Sequence, residues 1–159
     1  RFGNLICMQE DELRSRLRGI GPDLLNEDVD AQIFRERLAK KSHWNITKAL
    51  MDQRVVSGIG NYLKAEILYR TGISPWRDCG DLSEVEVESI RTTASLIMRQ
   101  SYARGGATIQ SYRDVGGQPG EFSFHFKVYG QAEDPEGRKV IRELTPDGRT
   151  THWVPEEQK

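Results

Sequence analysis

Residues 55–70, Val55-Val56-Ser57-Gly58-Ile59-Gly60-Asn61-Tyr62-Leu63-Lys64-Ala65-Glu66-Ile67-Leu68-Tyr69-Arg70, constrain the fold more than any other stretch. Two glycines one residue apart predict a tight turn, and the amphipathic run from Asn61 predicts a helix leaving it. Glycine has no Cβ, so main-chain amides at such a turn can approach a ligand closely. A helix start presents unpaired N–H groups and partial positive charge, which together attract phosphate. The pattern is not a dinucleotide-binding fingerprint: Leu63 stands where a third glycine would be, and no strand precedes it. Taken alone, a Gly-x-Gly before a helix is most often only a turn.

Charge sharpens the picture. From Arg37 to Arg77, eight Lys and Arg oppose only Asp52 and Glu66, a segment charge of +6; the chain carries −1 as a whole, which leaves −7 for the remainder. A positive block around a phosphate-grip candidate suits a polyanionic partner, and a solvated basic helix face accounts for it equally well. No apolar run approaches the roughly 20 residues of a membrane span. The opening Arg1-Phe2-Gly3 lacks both methionine and a secretory pattern, as in a fragment or a processed product. Cys7 and Cys79 stand far apart with no Cys-x-x-Cys pair, so the sequence supports neither a structural zinc site nor a disulfide framework.

Periodicity and turn residues divide the 159 residues. Residues 2–8 read as a short strand and 11–17 as a helical turn. Asp28 can cap a helix to about Lys40, and another covers Ile46 to about Arg54. The Asn61 helix should stop at Thr71-Gly72, with Glu66 and Arg70 paired along its surface. Ser83-Glu84-Val85-Glu86 is a capping box that opens a helix to about Tyr102, with Leu82 and Val87 as its staple. Composition then changes. A glycine-rich segment from Arg104-Gly105-Gly106 to Gly120 precedes strand-like runs at 122–129, 139–144 and 149–154, the last two joined by Pro146-Asp147-Gly148. The expected architecture is mainly α with a small β-hairpin module.

Four ordered stretches resemble the formamidopyrimidine-DNA glycosylase and endonuclease VIII family. Asp52-Gln53 and Gly58-Ile59-Gly60-Asn61 through Arg70 are similar to its helix–two-turn–helix motif. Arg104 to Thr108 and Gly117 to Gly130 resemble the link to its DNA-binding finger. Gly148 to Pro155 resembles the finger's second strand, and Arg1-Phe2-Gly3 the end of its N-terminal domain. The resemblance implies a division into 1–8, the end of an N-terminal β domain; 9–103, the helix–two-turn–helix domain; 104–121, a lesion-loop-like linker; and 122–159, the finger. It implies base-excision repair of oxidised bases, oxidised purines favoured, followed by strand cleavage. Asn61 with the Gly58–Gly60 turn would hold the phosphate beside a flipped nucleotide, and Arg149 would reach phosphates from the hairpin tip. Phe2 would be the apolar wedge in the base stack, a device that stabilises kinked duplex. Gly105, Gly106 and Thr108 would belong to a loop covering the everted base. Lys48 stands beside Thr47, which replaces a lesion-side lysine of some members.

Two departures matter. Members of the family usually hold zinc in the finger with four cysteines; here Val154 and Glu157 stand where the last two would be, with Glu136 near the first. This resembles the zincless-finger branch, its hairpin held by pairing and packing, with Tyr129 and Trp153 as candidates. The family's lyase chemistry also starts from an N-terminal proline amine followed by glutamate. The first proline here is Pro22, whose nitrogen is an amide and cannot form a Schiff base. The expectation is therefore a monomer that binds double-stranded DNA containing an oxidised base or abasic site. It would use no cofactor and no metal, contain no catalytic residue of its own, and depend on a missing N-terminal catalytic domain. It would work inside the cell with DNA, in nucleoid or nucleus. A non-catalytic DNA-binding or scaffold protein with the same grip is the alternative.

Overall fold

The computed structural model describes residues 5–26, 28–103 and 126–159. Five helices come first: α1 (Glu10–Arg18), α2 (Ala31–Ala39), α3 (Ile46–Met51), α4 (Asn61–Arg70) and α5 (Glu84–Ala103), with a 3-10 turn at Cys79–Asp81 before the last. An antiparallel hairpin of β1 (Ile141–Leu144) and β2 (Thr150–Trp153) follows, with Ile141 opposite Trp153 and Leu144 opposite Thr150. The mainly helical fold with a hairpin module is thus as the sequence implies. Among the described residues no helix is long and apolar enough to cross a membrane.

Local chemistry explains most helix starts. Asp30, rather than Asp28, caps α2 by accepting from the Gln32 N–H at 2.6 Å. Asn45 caps α3 through the Thr47 N–H at 2.9 Å. The capping box of α5 forms as expected: the Ser83 N–H donates to Glu86 Oε2 at 2.7 Å, and the Glu86 N–H to Ser83 Oγ at 3.3 Å. Helix α4 differs, because no side chain caps its start at Gly60.

Two cores meet on α4. Leu63, Ile67 and Leu68 enter the main helical core with Phe34, Leu50, Val56, Ile90 and Ile97. Ala65 and Tyr69 enter a smaller cluster with Val128, Val140 and Val154 of the hairpin module. Full burial of each such valine stabilises the docking by about 1.5–3 kcal/mol. A helix with two buried faces has little room for a polar side, and the residues of α4 from Leu63 to Tyr69 are all buried.

Three sequence expectations are corrected. The described residues 5–9 form no strand, because no neighbouring strand lends them an edge. Residues 126–129 also form no strand: the carboxylate of Glu66 accepts from the N–H groups of Val128 (2.9 Å) and Tyr129 (3.0 Å), in place of a strand partner. Glu66 is consequently fully buried rather than on a surface pair, and its second oxygen lies 3.8 Å from Arg70 Nε.

Candidate nucleic-acid interface

The segment from Asp52 to Gly60 is built by side chains gripping main chain. Asp52 Oδ1 accepts from the Arg54 N–H at 2.9 Å, and its carboxylate holds the Arg54 guanidinium. Gln53 spans the turn: its Oε1 accepts from the Gly58 N–H (2.9 Å) while its Nε2 donates to the Ile59 carbonyl (3.0 Å). From behind, the Gly21-Pro22 strap is bonded to the turn, with the Gly21 N–H donating to the Gln53 carbonyl (2.7 Å) and the Ser57 N–H to the Pro22 carbonyl (3.0 Å). A Cβ on Gly21 would lie 2.7 Å from the main chain of Val55, so this close approach requires glycine.

The two glycines of the turn are unlike. Gly58 has φ 85°, the left-handed region that disfavours other residues. Gly60 has φ −110°, and a Cβ there would meet nothing within 4 Å. Neither backbone strain nor a protein neighbour demands glycine at 60; the open space beside it lies at the start of α4. There the N–H groups of Asn61, Tyr62 and Leu63 have no intrahelical acceptor, since the first bond of the helix runs from the Lys64 N–H to the Gly60 carbonyl at 2.9 Å. Those three donors, rather than the N–H of Gly58, form the positive end of the helix dipole.

The hairpin is pinned beside that end. Asn61 Nδ2 donates to the Thr150 carbonyl at 3.0 Å, which sets Arg149 next to it in the chain, exposed at the exit of the hairpin turn. Asn61 Oδ1 is buried with no hydrogen-bond partner among the described residues. Beneath lies a buried ion pair, Lys64 Nζ to Asp147 Oδ2 at 2.5 Å, with side chains 0% and 2% exposed. Burial raises the Asp147 carboxyl, but the Lys64 ammonium and the Thr145 hydroxyl outweigh it and hold it below the usual carboxylate range. Thr145 also bonds Thr151 across the hairpin at 2.6 Å. Lys48 is exposed and lines a cleft with Trp44, Pro146 and Asp147, so it too faces the hairpin turn. The structure thus brings Asn61, with Gly60 before it, to the hairpin strand after Arg149, and sets Lys48 on a cleft that ends at the hairpin turn, whereas Gly58 is bonded to Gln53 and faces Met98. Phe2, Gly105, Gly106 and Thr108 lie outside the described residues.

Gln53, Lys64 and Asp147 are the site residues that sequence reasoning passed over. Asp147 had a signal only as a turn residue. Lys64 sits one turn after Asn61, the spacing at which side chains share a helix face.

At Glu136 and Glu157, the positions that the resemblance aligns with zinc ligands of other members, the carboxylates hold a guanidinium. Arg138 donates from Nε to Asp134 (2.7 Å) and from Nη2 to Glu136 (3.1 Å), and its Nη1 bonds Glu157. The Tyr69 hydroxyl donates to Glu136 at 2.8 Å and so closes the ring of contacts. With Arg138 already bonded to all three carboxylates, and with neither Cys nor His beside them, the arrangement does not fit a structural zinc ion, whose tetrahedron is built from Cys and His. Among the described residues no cluster of His, Cys, Asp and Glu could hold a metal.

Comparison with known proteins identifies the family and the fold. The formamidopyrimidine-DNA glycosylase H2TH domain family matches residues 20–113. A formamidopyrimidine-DNA glycosylase of Prochlorococcus marinus (strain MIT 9301) is 33% identical over 165 residues, covering 99% of this chain and 56% of the relative. Another, from an Exiguobacterium species, is 36% identical over 132 residues, with 82% of this chain and 48% of the relative covered. The chain therefore spans about half the length of the curated relatives it matches. Among solved structures, Lactococcus lactis Fpg in complex with DNA containing an abasic site superimposes with a TM-score of 0.83 at 27% identity, over 96% of this chain and 57% of that one. MutM (Fpg) from Thermus thermophilus gives 0.80 at 34% identity, over 92% and 56%.

Proposed function

This chain belongs to the formamidopyrimidine-DNA glycosylase family, and from that premise we propose that it is the damaged-DNA-binding portion of a base-excision-repair glycosylase and AP lyase that removes oxidised bases, oxidised purines above all. One observation carries the proposal: the uncapped start of α4, with open space at Gly60, is held by Asn61 against the hairpin strand that follows Arg149. Three aligned N–H donors and a guanidinium on neighbouring elements suit two phosphates of one backbone. Such contacts position the protein and carry little base information.

The excision chemistry is assigned to a further domain of the same protein, because the chain spans only about half the length of the glycosylases it matches. Leu5, Ile6, Leu13, Leu17 and Ile20 are exposed, Leu5 at 99%. We assign these exposed apolar side chains, two of them on α1 and three beside its ends, to contact with the catalytic domain. The boundaries 1–8, 9–103, 104–121 and 122–159, the wedge role of Phe2 and the covering role of Gly105, Gly106 and Thr108 are parts of the same proposal, as is a monomer working with DNA inside the cell.

Binding to duplexes with and without an abasic site tests it. Asn61→Ala and Arg149→Ala should each weaken binding to the abasic duplex by roughly 1–3 kcal/mol. The Arg149 change should also flatten the slope of log K against log salt by about one phosphate. Wild-type affinity in both variants would dismiss the clasp. Borohydride should trap no Schiff base with this chain alone, and the upstream domain should restore trapping. Absence of cleavage with that domain present would favour the alternative, a DNA-binding scaffold.

A further inference from the structure

Two grooves on the helical side meet at Arg54. The first, about 390 Å³, runs between α2 and the residues after α3 and is lined by Arg37, Lys40, Lys41 and Arg54, with Glu36 the one acidic residue on its wall. The second, about 280 Å³, is lined by Trp44, Lys48, Met51, Asp52 and Arg54 and ends on Pro146 and Asp147 of the hairpin turn. Where they join, two ammonium groups flank one indole: Lys41 Nζ lies 4.2 Å from the Trp44 ring centroid and Lys48 Nζ 4.4 Å. Cation–π attraction fixes two flexible side chains near each other despite their like charge. Lysines already held in place lose less rotamer freedom when an anion arrives.

The acidic groups of this surface are occupied. Asp52 holds the main-chain and side-chain nitrogens of Arg54, Glu36 accepts from Gln32, and Asp147 is buried against Lys64. Even with Arg54 paired to Asp52, the five cations of the two grooves outnumber Glu36 and Asp52, so the path keeps an excess of positive charge. That path ends at the hairpin turn, two residues before Arg149. We propose that Arg37, Lys40, Lys41, Lys48 and Arg54, organised around Trp44, form a second phosphate track that carries one arm of the duplex beyond the α4 clasp. The track rests on the DNA-binding reading given above and deepens it. It adds affinity along the flanking backbone and has no part in recognising the damaged base. Phosphates spaced along one strand match cations spread along a path, whereas a single small anion would occupy only one groove.

The test uses Lys40→Gln with Lys41→Gln, two residues outside the hydrophobic core, after circular dichroism has shown the fold unchanged. Binding is measured over a salt series on abasic duplexes whose arms are shortened in turn from either side. The track predicts that the salt slope of the double variant falls by about two units on the duplex with both arms long. It also predicts that shortening one particular arm abolishes the difference from the parent. A parental slope on every duplex overturns the track. An equal loss on long and short duplexes also overturns it, because the two lysines would then belong to the clasp. Failure of the clasp itself has a separate signature: Asn61→Ala and Arg149→Ala would bind as the parent does, whatever the arms.

Discussion

Gly58 and Gly60 show how one sequence pattern can conceal two physical causes. At φ 85° Gly58 exists for the backbone, whereas at φ −110° with open space around it Gly60 has no such reason. Gly58→Ala should cost about 1–2 kcal/mol of stability, the penalty of a Cβ in the left-handed region. Gly60→Ala should leave the melting temperature unchanged while weakening binding to abasic duplex. Equal stability losses in thermal melts of the two variants would contradict this division. The Lys64–Asp147 pair sets a second residue-scale expectation. Lys64→Met leaves a carboxylate buried without its partner, a loss of about 3–5 kcal/mol, and Lys64→Met with Asp147→Leu should recover much of it. Denaturant unfolding of both variants measures this, and a double variant no better than the single one would refute it. None of this was legible from the glycine spacing or from a lysine in a helix. The partners Lys64 and Asp147 stand 83 positions apart, and only the docked hairpin joins them.

Elements whose ends are decided by near neighbours were legible. The Ser83–Glu86 box writes the start of α5 in four residues, and Pro146-Asp147-Gly148 closes the hairpin locally. The run from 126 to 129 was not legible, because its N–H groups are taken by Glu66, 62 positions earlier. The box also gives α5 a pH signature. Hydrogen bonding and charge from Arg77, with the Ser83 contacts, hold the Glu86 carboxyl down at about 2 against an ordinary 4.5. A carboxyl lowered on folding contributes stability that is present above its unfolded value and lost as pH falls through its folded one. Acid should therefore weaken α5 progressively between about 4.5 and about 2, and Glu86→Gln should flatten that limb of a stability–pH curve. The hairpin behaves differently. His152 of β2 is buried against the Tyr129 ring at 4.8 Å, with Nδ1 unpartnered among the described residues. Burial, then the charges of Arg142 and Lys64, lower its pKa. Its neutral form is the folded form, so stability should fall as pH drops below about 6.5, the ordinary histidine value. Replacing His152 with Leu should remove this dependence; an unchanged curve between about pH 7 and 5 would show that another group titrates there.

At the scale of the molecule, the order of helices and hairpin was readable from composition, and the family from four ordered motifs. What joins the parts was not, because the joints are long-range contacts made by α4 and by the residues just after it. Helix α4 gives Leu63 and Ile67 to the helical core, Ala65 and Tyr69 to the hairpin core, and Asn61, Lys64 and Glu66 to the hairpin's main chain and turn. The C-terminal residues close the far end: the Ser74 N–H donates to the Lys159 carbonyl at 2.8 Å and Gln158 Nε2 to the Ile73 carbonyl at 2.9 Å. A module fixed at both ends of one helix should not unfold independently, so amide exchange at Val140 and Thr151 should slow and quicken together with exchange in α4. Arg138 is the internal cross-link of that module, where it bonds Asp134, Glu136 and Glu157. A guanidinium is covalently part of the chain and cannot be extracted. Chelators should therefore leave the melting curve unchanged, since among the described residues no group of His, Cys, Asp and Glu could hold a metal whose binding would add to folding free energy. Arg138→Met should leave three carboxylates facing one another, with the Asp134 side chain fully buried. It should speed exchange at Val140 and Thr151 first and lower the melting temperature. If a chelator instead produced that pattern in the unaltered protein, a metal rather than Arg138 would be holding the finger.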